Sequence, residues 1–131
     1  MKIVLDTNVL VSGIFWGGLP EKILEQAMTG EITLYASEDI LNEYFRIIDK
    51  IGKKDRELAS QWKMLLVKTI KIVETQITIQ DCRDPKDNMF LECAVTCKAK
   101  FIVSGDDDLL SMQSIEKTLI LTAKEYLNQI R

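Results

Sequence analysis

Ile3-Val4-Leu5-Asp6-Thr7-Asn8 opens the chain with three apolar residues closed by a carboxylate. Such a run reads as a short strand buried on both faces, with Asp6 at its carboxyl end. Working outward, residues 7–15 suit a short helix ahead of the Gly17-Gly18-Leu19-Pro20 turn. Pro20 at a first helical position predicts a helix to about Met28, stopped by Thr29-Gly30. Residues 32–36 read as a second strand. Ser37 is a good N-cap for a helix to about Lys50, with Glu38 and Asp39 in the dipole-favoured first turn. Gly52 interrupts, and residues 55–70 repeat apolar side chains at helical spacing. A third strand is expected at 71–74, a helix from Asp84-Pro85 to about Lys98, a fourth strand at 101–103, a fifth at 119–121 and a closing helix over 123–130. Strands separated by helices imply an α/β fold, a parallel sheet covered on both faces.

The chain has 131 residues, 47% apolar and 28% charged, the size and balance of one globular domain over residues 1–131. No run of 18 apolar residues is present, which excludes a transmembrane helix, and the N-terminus lacks a signal-peptide pattern. Three cysteines, Cys82, Cys93 and Cys97, form no CxxC pair, so neither a disulfide scaffold nor a zinc knuckle is expected and the cytoplasm is the default compartment. Histidine is absent. That removes Ser-His and Cys-His nucleophile pairs and His-ligated zinc, and leaves carboxylates, lysines, hydroxyls or a metal to do any chemistry. Net charge is −3, but it is segregated: residues 50–56 carry four positive charges and one negative, and residues 106–108 are three consecutive Asp.

The carboxylates fall where parallel sheets build sites. Asp6 follows the first strand directly, and Asp106 follows the fourth after Ser104-Gly105, with Gly105 suited to a tight turn. Ligands of open parallel sheets bind outside the carboxyl ends of the strands. Either Asp alone reads equally well as a cap for the next helix; the two together point toward a site. Glu43 borders the apolar arc of Ile40, Leu41, Tyr44, Phe45, Ile47 and Ile48, where periodicity alone favours a solvated flank. Asp84, Pro85 and Asp87 form an acidic helix start; dipole complementation is a sufficient reading of Asp87, and it is compatible with a turn at the strand edge that aims the carboxylate inward. Asp81 and Asp84 read as loop and cap residues, Trp62 as core, and Cys93 and Cys97 as buried small hydrophobes on one helix face. Trp16 falls in a loop.

Ile-Val-Leu-Asp-Thr-Asn-Val-Leu-Val-Ser (3–12), Asp-Pro-Lys-Asp-Asn-Met-Phe-Leu-Glu-Cys-Ala (84–94) and Ile-Val-Ser-Gly-Asp-Asp-Asp-Leu-Leu (102–110) together resemble a PIN domain. The similarity is greatest to the prokaryotic VapC-like toxins of toxin–antitoxin pairs, and it spans essentially the whole chain. It implies a three-layer α/β/α fold around a parallel sheet of four to five strands, and a metal-dependent ribonuclease. Carried over by motif, Asp6, Glu43, Asp87 and Asp106 are the four acids that hold the metal and catalyse, with Asp108 as an additional metal-side acid. Thr7, Asn8 and Ser104 match small polar positions beside them. Lys98-Ala99-Lys100 departs from the Gly-Ala-Asp-like turn expected before the fourth strand. A homodimer and a cognate antitoxin protein are the partners the resemblance implies.

Four converging carboxylates cannot all ionise without a cation between them. Oxygen ligands without His or Cys select Mg²⁺ or Mn²⁺. Such an ion activates water and offsets charge on a phosphate, so the expected reaction is water attack on a phosphodiester to leave 5′-phosphate and 3′-hydroxyl ends, with RNA the substrate that the resemblance implies. An acidic site cannot grip a phosphate backbone alone, which nominates Lys50, Lys53, Lys54 and Arg56 as RNA-binding residues, with a solvated turn as the alternative. Other readings are a catalytically idle PIN-like binding module and a flap or DNA nuclease. A phospho-receiver domain fits poorly, because Asp6 is followed by Thr7-Asn8 rather than by a second acid.

Overall fold

The computed structural model describes residues 1–129. Its sheet is laid down by β1 (Lys2–Leu5), β2 (Thr33–Ala36), β3 (Lys71–Ile72), β4 (Phe101–Val103), β5 (Ser114–Ile115) and β6 (Thr118–Leu121), in the order β3-β2-β1-β4-β6-β5. All pairings are parallel except the β5–β6 hairpin. The five strands expected from the sequence are the five parallel ones, and the sheet has a sixth that was not expected. The added strand, β5, is a two-residue antiparallel edge, and β3 stops at Ile72, two residues short of the expected end.

The central strands behave as their apolar runs require. Ile3, Val4 and Leu5 of β1 and Phe101, Ile102 and Val103 of β4 are at most 2% exposed, so helices must cover both faces. The helices are α1 (Thr7–Phe15), α2 (Gly18–Met28), α3 (Glu38–Ile51), α4 (Arg56–Thr69), α5 (Asn88–Cys97), α6 (Asp107–Leu110) and α7 (Ala123–Gln129). Helix α5 packs across β1 and β2, and α7 across β4 and β6. This is the expected three-layer α/β/α arrangement. Residue 130, the expected end of the last helix, lies outside the described residues.

Local chemistry explains most boundaries. Ser37 Oγ accepts from Ile40 N and Asp55 Oδ1 from Leu58 N, capping α3 and α4. Helix α2 begins at Gly18 rather than at Pro20, because Gly17 and Gly18 both take left-handed φ values, 75° and 72°, that release the chain from α1. Gly13 lets α1 meet α2 closely: a Cβ there would lie 2.7 Å from Leu24 Cδ1. Gly105 shows no such need, having no positive φ and open space around a built Cβ; the turn there is closed by the Ser104 hydroxyl, which accepts from Asp106 N, and does not depend on glycine.

Candidate metal centre

Each acid reaches the same sheet edge by a different route. Asp6 N donates to Val103 O (2.9 Å), which carries the β1–β4 ladder one residue beyond β1 and sets the Asp6 carboxylate at the strand ends. Asp6 occupies the N-cap position of α1, yet its side chain makes no capping hydrogen bond. Ser104 Oγ donates to Asp6 Oδ2 instead, at 2.6 Å, and accepts from Asp106 N at 2.9 Å. One buried hydroxyl thus joins the ends of β1 and β4. Asp106 does cap α6, through Asp108 N to Oδ1 at 2.9 Å, and also faces the cleft. The capping role and the site role coexist there.

Glu43 is brought in by Tyr44. The fully buried Tyr44 hydroxyl donates to Leu5 O, fastening α3 to β1 one residue from Glu43. Glu43 is therefore not the solvated flank that periodicity favoured; it lines the cleft and pairs with Arg46. Asp87, 7% exposed, arrives at the end of the 3-10 turn Pro85–Asp87 that leads into α5. Asp84 caps that turn through Lys86 N.

The resulting cavity, of about 190 Å³, is lined by Asp6, Glu43, Asp84, Asp87 and Asp106, with Thr7, Asn8, Arg46 and Lys86 beside them and Ile47, Met89 and Phe90 as an apolar wall. Asp84, read from sequence as a cap, is also a wall of the site. Asp108 sits outside that lining, ion-paired with Arg83 at 3.0 Å. Its carboxylate and those of Asp84 and Asp87 each offer an oxygen within 4.8 Å of the other two. Lys50, Lys53, Lys54 and Arg56 are exposed and do not line the cleft. The cations that do, Arg46 and Lys86, escaped the sequence reading. The available signal was spacing, with Arg46 one turn after Glu43 and Lys86 directly before Asp87.

The electrostatics are those of a site short of positive charge. Asp87 is pushed up to about 8, first by burial and then by its hydrogen bond with Asp106 and the nearby charges of Asp106, Asp6 and Asp84. Asp6 is also raised, chiefly by burial, with the Ser104 hydroxyl working in the opposite direction. Thr7 Oγ1, buried in the same wall, has no hydrogen-bond partner among the described residues. Repelling carboxylates and an orphaned hydroxyl oxygen form an all-oxygen donor set suited to a hard divalent cation.

Comparison with known proteins agrees with this geometry. A sequence profile described as the PIN domain matches residues 2–108. The chain is a PIN domain. PIN domains are in general nucleases and typically use divalent metals. The chain is 31% identical over 144 residues to the uncharacterized protein MJ1680 of Methanocaldococcus jannaschii, covering 98% of this chain and 91% of that one. Among solved structures, the PIN fold here resembles VapBC2 from Rickettsia felis, crystallised with a DNA fragment from its promoter, with a TM-score of 0.63 and 17% identity over 92% of this chain and 97% of that one. It also resembles the Trypanosoma brucei RRP44 PIN domain, with a TM-score of 0.52 and 12% identity over 98% and 80% of the two chains. At these identities the two structures share a fold with this PIN domain. No helix among the described residues is long and apolar enough to cross a membrane.

Proposed function

We propose that this PIN domain is a Mg²⁺- or Mn²⁺-dependent endoribonuclease and the toxin component of a toxin–antitoxin pair. The observation that carries the nuclease reading is the convergence of Asp6, Glu43, Asp87 and Asp106 on one cleft, where burial and the neighbouring carboxylates push Asp87 well above the usual carboxylate range. Asp6, Glu43, Asp87 and Asp106, which line the cleft, would hold the ion, with Asp108 at its edge and Asp84 joining Asp87 and Asp108. A bound divalent cation supplies water activation and charge neutralisation at a phosphodiester. The chain's own residues prepare the cleft for that chemistry. Ser104 fixes the orientation of Asp6, and Tyr44 fixes the helix that carries Glu43. Ile47, Met89 and Phe90 restrict water on one side, which strengthens every charge interaction within the cleft. Thr7 Oγ1 and Asn8 are the polar groups placed to meet a ligand of the acids.

The cognate antitoxin and a homodimeric state are carried over from the VapBC likeness, and the three cysteines, all free and buried, suit the cytoplasm. A small neighbouring reading frame encoding a DNA-binding protein is the genomic observation that supports the toxin role. The enzymatic reading is tested with purified parent protein and Asp6→Asn on a randomised RNA pool and on matched DNA, with Mn²⁺ and with a chelator. Parent protein is expected to cut RNA only with metal, leaving 5′-phosphate ends, and the variant to retain the fold and lose cleavage. Undiminished cleavage by the variant refutes the site; binding without cleavage by the parent makes the protein an idle module; preferential cutting of DNA makes it a DNA nuclease.

A further inference from the structure

We propose that Arg46 positions the substrate: braced by Glu43, it turns the free edge of its guanidinium toward a backbone phosphate of the nucleic-acid strand lying over the acidic cleft. The inference rests on the nuclease reading above. Arg46 stands one helical turn after Glu43 on α3 and lines the same cleft as Asp6, Asp87 and Asp106. Both its Nε, at 3.0 Å, and its Nη2 donate to a single oxygen, Glu43 Oε1. Nη1 has no partner among the described residues, and the Arg46 side chain remains 64% exposed.

That geometry divides the guanidinium in two. A guanidinium carries five N–H donors in one plane, and the Nε side is consumed by the carboxylate. The end edge, formed by Nη1 and the second hydrogen of Nη2, is left as a planar fork of the kind that meets phosphate with two hydrogen bonds. An exposed arginine ordinarily loses rotamer freedom when it grips a ligand. Here the i,i+3 contact with Glu43 has already restricted the side chain. Glu43 Oε2, meanwhile, is not engaged by Arg46 and stays available on the other side of the same carboxylate. Lys86, the other cation lining the cleft, is exposed and has no ion-pair partner among the described residues, so it offers a point charge without a fixed direction. Arg46 is thus the cleft cation with a defined orientation.

The proposal sets metal binding and substrate binding in opposite directions, which a merely structural role does not do. Removing a positive charge from among carboxylates favours a cation, whereas removing a phosphate donor weakens RNA. Mn²⁺ binding is measured by calorimetry without RNA, and binding of a labelled randomised single-stranded RNA pool is measured by anisotropy with Ca²⁺ present to suppress cleavage. For Arg46→Ala, Mn²⁺ should bind as tightly as in the parent or more tightly, while the RNA Kd rises about tenfold, the scale of one charge-assisted hydrogen bond. Arg46→Lys should restore parental Mn²⁺ binding yet leave RNA weakened, because an ammonium cannot form the fork. In turnover the loss should fall on KM rather than kcat. Parental RNA affinity in Arg46→Ala overturns the proposal, as does a parallel loss of metal and RNA binding, which would mean that Arg46 only keeps Glu43 in place. Failure of the parent protein itself to bind Mn²⁺ overturns the nuclease reading instead.

Discussion

Asp87→Asn should stabilise the metal-free protein and flatten its response to pH. The Asp87 carboxyl is pushed up to about 8 because it is buried and shares a hydrogen bond with Asp106. An Asp in the unfolded chain titrates near its model value of 3.8. Between those two values the folded state holds a proton that the unfolded state has lost, so stability falls as pH rises through that window. The limiting slope is about 1.4 kcal/mol per pH unit for one proton. Asp106 shares the proton and the cleft is open to water, so the loss realised by pH 8 should be about 1–3 kcal/mol. Asparagine reproduces the protonated carboxyl in shape and donates to Asp106 through its amide at any pH. The variant should therefore melt about 3–8 °C above the parent at pH 8 in chelator, and no higher than the parent near pH 4. Metal reverses the order at neutral pH. An ion that displaces the Asp87 proton binds more tightly as pH rises toward 8, and at one hundred times its Kd it stabilises the parent by about 2.7 kcal/mol. The variant, short of one ligand, should gain much less. Calorimetric melts of both proteins from pH 4 to 9, with chelator and with Mg²⁺, separate these terms. Equal pH slopes for parent and variant in chelator would refute the shared-proton argument.

The triple variant Lys50→Glu, Lys53→Glu, Lys54→Glu tests the basic turn that lies beyond the cleft: weaker RNA binding with a shallower salt dependence and unchanged Mn²⁺ affinity is expected, and a parental salt slope would reduce that turn to a solvated one. Lys98 ends α5 in the left-handed region at φ 58°, a conformation that costs a side chain energy and glycine nothing. Lys98→Gly should raise stability in urea melts by about 0.5–1 kcal/mol, and a loss would show that the Lys98 side chain contributes contacts that offset its backbone strain. Static light scattering at micromolar concentrations should give the mass of a dimer, and a monomer there would remove the homodimer from the proposal.

The central strands, the cap at Ser37 and the acidic strand ends were legible in sequence because each depends on residues adjacent in the chain. Three apolar residues before Asp6 place that carboxylate at a sheet edge whatever follows. The hairpin that adds β5 to β6 was not legible. Its turn is built from Glu116, at φ 50°, and Lys117, between Ile115 and Thr118, and neither residue announces a hairpin as Asn-Gly does. Helix α2 was misplaced by two residues because Pro20 suits a first turn in general, whereas the Gly17-Gly18 release is specific to the way α1 and α2 meet.

Composition by itself narrowed the chemistry available: a chain without histidine has no imidazole base or ligand, and Asp after two buried strands puts carboxylates where a site forms. Tertiary structure decided which carboxylates share the cleft and in what charge state. Periodicity leaves Glu43 at the border of a helix face, and the packing of α3, fastened to β1 by the Tyr44 hydroxyl on Leu5 O, brings it to the sheet edge. Asp84 is a cap by spacing and a wall of the site by packing, while Asp108 is drawn outward by Arg83. Arg46 acquires its direction from Glu43 and its target from the cleft it shares with Asp6 and Asp106. Sequence spacing governs hydrogen bonds a few residues long; the Asp87 proton depends on burial and on Asp6 and Asp106, which the chain places far away, as well as on nearby Asp84, and the distances to Asp6 and Asp106 exist only once the sheet has formed.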